Sequence, residues 1–283
     1  MIPELIETSR AGLVDDLVSR SFGYPPGKRF FDDFPVWGSS GSVSRLGLID
    51  QGKLISHVGI RMGEMQTSRG IERIALIGAV ATEEQYRGRG FSSFLLQEAL
   101  RKIDASGCTW SLLWGSEHDF YGKQGFQLQG TQWRFLISDL SITVSGLQST
   151  PPSEGLNEKI WSDLLSRKTG VRFHGIDREW VFAHRSVRWL SFAEPFSYVA
   201  YERGMDLKHI VHETGGDPSG IQRLLYYLYL ECPIAQIIGT QGELERLGFK
   251  TADGYREHLC LARPLQAGAR WNPEFWVSGL SAC

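Results

Sequence analysis

The stretch Val80-Ala81-Thr82-Glu83-Glu84-Gln85-Tyr86-Arg87-Gly88-Arg89-Gly90-Phe91-Ser92-Ser93-Phe94-Leu95-Leu96 reads as a strand end, a tight basic loop and a helix start. Gly88 and Gly90 carry no Cβ, so the backbone can turn sharply there and come close to a ligand. The N–H groups of the first helical turn have no partner inside the helix, and the helix dipole stands behind them. A loop of this kind is a cradle for phosphate. Arg87 and Arg89 add positive charge at the same point. Farther along stands a second signal, Phe120-Tyr121-Gly122-Lys123-Gln124-Gly125-Phe126.

Working outward, the flanks read as strands before the loop and a helix after it. Ser42 to Asp50 alternates and meets the turn Asp50-Gln51-Gly52-Lys53, and Lys53 to Met62 is a second strand. Ile71 to Thr82 is apolar along much of its length, which places it centrally in a sheet. Residues 89–105 put Phe91, Phe94, Leu95, Ala99 and Ile103 on one helical face. Thr109 to Trp114 is a strand, Glu117 to Gln124 a short helix, and Phe126 to Ile137 a long strand. Ala11 to Ser21 is a helix, and the Gly-, Pro- and Phe-rich residues 22–42 a loop. Antiparallel strands first, then one β-α-β step, make an α+β unit with a mostly antiparallel mixed sheet flanked by helices.

Ser145 to Asn157 is rich in Ser, Pro and Gly and reads as a linker. The order then repeats. Helices are expected at Glu158 to Ser166 and Arg178 to Arg188, and strands at Ser197 to Glu202 and Leu207 to Glu213. A helix follows at Pro218 to Glu231, a strand at Ile234 to Gly239, a helix at Gln241 to Leu247, and a final strand within Lys250 to Leu261. The endings also match, Tyr121…Gly125-Phe126 against Leu244…Gly248-Phe249. The expected division is therefore 1–144, 158–265 and a tail, 266–283. The second unit is degenerate: Gly215-Gly216-Asp217-Pro218 replaces the loop, and Leu244 stands at the tyrosine position. Asp217 suits a helix cap, not a phosphate.

Composition sets bounds. The chain has 283 residues, 42% hydrophobic and 12% aromatic, with a net charge of −2. No overall basic field points to nucleic acid. No signal-peptide pattern stands at the start, and no apolar run reaches the roughly 20 residues a membrane helix needs. A cytoplasmic setting with reduced thiols at Cys108, Cys232, Cys260 and Cys283 follows as the expectation, with no membrane partner. No metal is expected, since His209 and His212 would face opposite sides of a strand. The helix Ile221 to Leu230 is apolar almost all round and reads as buried or as a contact within a homo-oligomer. Two phosphate-binding folds are poor fits. A P-loop would close on Gly-Lys-Ser/Thr where Phe91-Ser92-Ser93 stands. A dinucleotide fold would carry a third glycine where Ser93 stands.

Gln85-Tyr86-Arg87-Gly88-Arg89-Gly90 resembles the Gln/Arg-x-x-Gly-x-Gly/Ala signature of the GCN5-related N-acetyltransferases (GNAT), and Tyr121…Gly125-Phe126 resembles their late helix–strand element. The resemblance covers residues 76–126. The tandem layout, with Ser116 and Glu117 just ahead of Tyr121, is similar to the enhanced intracellular survival (Eis) subgroup. After residue 265 too little chain is left for that subgroup's sterol-carrier-like domain.

The resemblance implies acetyl-CoA as co-substrate. Backbone groups of Val80, Ala81 and Thr82 would pair with its pantetheine arm. The amides from Gly88 through Arg89, Gly90, Phe91 and Ser92 to Ser93, with Arg87, would hold the pyrophosphate. Ser116 and Glu117 would line the other side. Tyr121 would be the general acid for the departing thiolate, after direct attack by a primary amine through a tetrahedral intermediate. The acceptor would be a small-molecule or peptide amine.

Three readings of the base stay open. In Eis-type proteins the C-terminal carboxylate serves, here that of Cys283. Glu72 is the alternative through water, because many relatives carry a Glu where Ile74 stands here, and the third reading has no base at all. The rival function is a non-enzymatic acyl-CoA sensor or interaction module.

Overall fold

The computed structural model describes residues 1–41, 43–140, 151–167, 169–232 and 234–281. In chain order its strands are β1 (Glu4–Leu5), β2 (Val43–Asp50), β3 (Lys53–Thr67), β4 (Gly70–Thr82), β5 (Trp110–Leu113), β6 (Gln127–Gln129), β7 (Gln132–Leu136) and β8 (Ser153–Glu154). There follow β9 (Gly170–Val171), β10 (Arg188–Phe192), β11 (Ser197–Tyr201), β12 (Ile210–Gly216), β13 (Gln236–Gly239), β14 (Tyr255–Glu257) and β15 (Cys260–Pro264). The helices are α1 (Ala11–Ser21), α2 (Phe30–Asp33), α3 (Phe91–Asp104), α4 (His118–Gly122), α5 (Glu158–Leu165), α6 (Arg178–Ala183), α7 (Pro218–Glu231) and α8 (Gln241–Arg246).

Two mixed sheets carry these elements, as the α+β reading expects. The first runs β1-β2-β3-β4-β5-β15-β6, with β9 added to β3, and the second runs β14-β7-β13-β12-β11-β10-β8. Each holds one parallel pair among antiparallel ones: β4 with β5, and β12 with β13. The halves therefore share an architecture.

The sheets do not follow the division of the chain. The stretch Phe126 to Ile137, expected as one strand, is two. Its first piece, β6, stays in the first sheet, while β7 pairs with β13 in the second. In return β15, from the end of the second half, pairs with β5 through Leu261↔Leu113. Gly130 makes the crossing. Its φ is +72°, and a Cβ there would stand 2.8 Å from both Leu259 and Trp271. Separating the halves would break ladder bonds in both sheets.

Other departures are local. The helix expected to reach Arg188 stops at Ala183, and β10 begins at Arg188. The Phe-rich loop contains α2. The later part of the expected linker includes β8, paired with β10 through Ser153↔Ser191. Residues 141–150 lie outside the described set. Helix α7 buries one face, through Ile221, Leu224, Leu225 and Leu228, and leaves Tyr229 and Leu230 exposed.

The first sheet is covered on both faces. Helix α3 brings Leu95, Leu96, Ala99 and Ile103 against Ala75, Ile77 and Tyr121. On the other face α1 brings Val14, Leu17 and Val18 into a cluster with Ala79 and Ala81. That second cluster continues into the second half through Ile160, Trp161, Trp180 and Tyr198, so the halves share a core. The tail residues Phe275, Trp276 and Val277 are buried beside Met65, Ile74 and Trp110. The Trp276 carbonyl accepts from the Val171 amide at 3.2 Å.

Candidate active site

The site begins where β4 and β5 part. They pair from Ile74↔Trp110 to Ile77↔Leu113 and no farther. Beyond that point the β5-facing edge of Gly78 to Thr82 has no strand partner among the described residues, so its amides and carbonyls face a cavity. A bulge sharpens the parting. The β3–β4 register passes from His57↔Ala81 to Gly59↔Gly78, so Ala79 and Val80 stand opposite Val58 alone. Ala79 takes φ +52°, a costly conformation for a residue with a Cβ. Its carbonyl is held by His57 Nδ1 at 2.7 Å. A carbonyl can only accept, so Nδ1 carries the proton. Burial pushes the His57 pKa down to about 4, and Arg45 adds to the shift. The ring is therefore neutral.

The loop that follows is fixed by hydroxyls and carbonyls. Ser92 Oγ lies 2.6 Å from Thr82 Oγ1, which lies 2.8 Å from Ser56 Oγ. Arg87 Nε donates to the Thr82 carbonyl at 3.2 Å, and Tyr86 Oη donates to Asp50 at 2.7 Å. Gly88 and Gly90 have φ of +74° and +79°, and a Cβ on either would meet nothing within 4 Å. Backbone conformation, not packing, requires glycine at both. Gly90 is the N-cap of α3, and no side chain caps its first turn. Helix α7, at the matching place in the second half, is capped by Asp217, which accepts from the amides of Ser219 and Gly220.

The phenol of Tyr121 closes the other side. Tyr121 is 7% exposed and packs within the cluster under α3. Gly115 lets it approach the end of β5, since a Cβ there would stand 2.8 Å from Tyr121 Cε2. Burial first, and then the charge of Glu117, push its pKa up to about 12.

One cavity of 960 Å³ joins these parts. Val80, Ala81, Thr82, Arg87, Gly88 and Gly90 line it, as do Phe91, Ser92, Ser93, Ser116, Glu117 and Tyr121. Arg89 does not; its guanidinium lies 5.2 Å over the Tyr86 ring. Glu72 does not either. It sits opposite Met65 at the far end of β4, about 25 Å of strand from Val80. Cys283 lies outside the described residues. The last of them, Ser281, is buried, and the nearby Gly279 carbonyl accepts from Arg203. Sequence reasoning missed Phe22, Phe30, Phe34 and Met205, which line the same cavity. The aromatic richness of the supposed loop 22–42 was the available signal for the first three.

The matching place in the second half is filled. β12 and β13 pair only through Ile210↔Gln236 and Val211↔Ile237. The space beyond measures 10 Å³ and is lined by Leu244 and by Trp276 of the tail. That is room for about one water.

The two half-sites thus differ: the cleft of the first half is open and the matching place in the second is filled. Residues 7–129 match the model of the acetyltransferase (GNAT) domain. Solved structures extend the likeness to the whole chain. One is a GCN5-related N-acetyltransferase from Kribbella flavida, 18% identical over 95% of this chain and 72% of that one, with a TM-score of 0.63. Another, from Anabaena variabilis, is 13% identical over 94% and 73%, with a TM-score of 0.65. Eis1 from Mycobacterium abscessus is 14% identical over 95% and 74%, with a TM-score of 0.59. At these identities the likeness is one of fold, and the fold is the tandem GNAT one. No curated protein sequence matches the chain. No described helix is long and apolar enough to cross a membrane.

Proposed function

We propose that the chain transfers an acetyl group from acetyl-CoA to a primary amine. The observation that carries this reading is the meeting, in one cavity, of an uncapped helix start, a free strand edge and a buried neutral phenol. Each part answers a need of the reaction. The amides of the α3 first turn and Arg87 suit a pyrophosphate. The free edge of Val80 to Thr82 offers the donors and acceptors a pantetheine arm requires. Acetyl-CoA brings the activated thioester.

The residues around the reaction centre divide the work. The amine must arrive neutral. The Val80 amide, beside Ala79 in the bulge and lining the cavity, is the donor for the developing oxyanion. Tyr121 gives its proton to sulfur as the C–S bond breaks. The amine nitrogen gives up its proton through water to the Tyr121 phenolate, which restores the acid, and no covalent bond to the protein forms. A non-enzymatic acyl-CoA sensor would not need a buried proton donor beside Glu117.

Thiol release from acetyl-CoA across a panel of amines tests the reading. Tight CoA binding with no thiol release from any amine would replace it with the sensor. The pH profile is a second test. A phenol with its pKa raised to about 12 keeps its proton at all lower pH values. Turnover should therefore rise with the free-amine fraction and show no alkaline fall below about pH 10. A fall near pH 8–9 would remove Tyr121 from the acid role.

Gly90→Val tests the cradle. It puts a β-branched side chain at φ +79°, into the space beside the helix start. Strain of about 1–3 kcal/mol and the blocked approach should weaken CoA binding by roughly 10–100-fold. Calorimetry that finds unchanged affinity would rule the loop out as the anion site.

A further inference from the structure

The cavity has more wall than a cofactor needs. Phe22, at the end of α1, Phe30 and Phe34, around α2, and Met205, from the second half, line it on the α1 side of the sheet. The cradle and Tyr121 lie on the α3 side. Between them runs the free edge of β4. An acceptor reaching a thioester at that edge from the side opposite Tyr121 must pass along these apolar residues.

The wall has a consistent chemistry. Phe30 and Phe34 are stacked with centroids 4.8 Å apart, and Phe22 meets Phe30 edge-on at 5.8 Å. One face of Phe34 is already taken by the Arg203 guanidinium at 4.6 Å. Of the acids adjacent in sequence to the wall, Asp33 is buried and accepts from Tyr24 Oη at 2.8 Å, and Asp206, beside Met205, is paired with Arg203. Among the residues lining the cavity only Arg87 and Glu117 carry formal charge, and Glu117 flanks Tyr121 on the cofactor side.

Resting on the acyl-transfer reading for its chemistry, we propose that the acceptor subsite takes a monoamine carried on an aromatic group, an arylalkylamine, and rejects polyamines. Phenyl rings can hold one ammonium by its attraction to their faces, but they cannot compensate several. A second or third charge brought against this wall would be desolvated without a partner. An aryl group gains instead, from apolar burial and from edge and face contacts with the rings. Met205 makes the second half part of the subsite. The sheet exchange and the shared core hold it there.

The test is calorimetric titration of the full chain, loaded with CoA, with phenethylamine and separately with spermidine. Phenethylamine should bind at least tenfold more tightly. Phe22 is 45% exposed and Met205 58% exposed, so substitutions there spare the core. Phe22→Ser and Met205→Ser should each weaken phenethylamine severalfold and leave CoA affinity unchanged. Phe22→Glu should reverse the preference toward spermidine. Spermidine binding as tightly as phenethylamine to the unaltered chain, or indifference of phenethylamine to both serine substitutions, overturns the proposal. Phenethylamine that binds but releases no thiol from acetyl-CoA counts against acyl transfer and leaves the aromatic subsite standing. Thiol release to spermidine without phenethylamine binding does the reverse.

Discussion

Tyr121→Phe is expected to lower kcat by about 10²–10⁴-fold, the usual worth of a positioned general acid, while CoA affinity stays within about twofold. The substitution removes one oxygen and keeps the ring. Ring packing is what the cluster under α3 uses, together with the edge-on contact with Phe126 at 6.2 Å. No hydrogen bond within the protein depends on the hydroxyl among those described, so the fold should tolerate its loss. The leaving sulfur would then depart as an unprotonated thiolate beside Glu117. Single-turnover thiol release with CoA titration separates the two effects. Equal losses in binding and in turnover would make Tyr121 a packing residue.

Acid should destabilise the fold well before its carboxylates titrate. His57 and His212 are both buried, and burial, aided by Arg45 and Arg203 respectively, pushes each pKa down to about 4. In the unfolded chain each returns to about 6.5. Between those values the unfolded state binds protons that the folded state refuses. Their contribution is present in full above about pH 6.5 and is lost as pH falls toward 4. Two such groups together should cost roughly 3 kcal/mol between pH 6.5 and 5. The affected regions are the free edge of β4, through the bulge that His57 holds, and the contact of the second half with the tail. There His212 Nε2 meets the Glu202 carbonyl at 3.0 Å and its ring packs against Gly279 of the tail. Urea denaturation at pH 5 and pH 7 measures the loss. A midpoint that does not move would mean that water reaches these rings in the folded state.

Much of the site could be read from the chain because its demands are local. A backbone that must take positive φ twice within three residues writes Gly88 and Gly90 into the sequence, and an uncapped helix start carries no Ser, Asp or Asn before it. The contrast with Asp217 was legible for the same reason. The aromatic wall was not. Phe22, Phe30 and Phe34 look like ordinary hydrophobic residues of a loop, and nothing near Met205 tells that it reaches the first half's cavity. Glu72 failed as a candidate base because an alternation argument gives the face of a strand but not the distance along it to the site.

The amino-acid sequence by itself determined the repeated α+β order, the glycine loop before α3, the tyrosine and the degeneracy of the second half. These depend on spacing within short segments, where each residue's conformational needs decide the outcome. Tertiary structure alone decided which sheet each strand joins. The patterns of Gln132–Leu136 and Cys260–Pro264 suit either sheet, and the choice rests on pairing partners a hundred or more residues apart. That exchange ties the halves together. Trp276 of the tail fills the second cleft, and the first stays open.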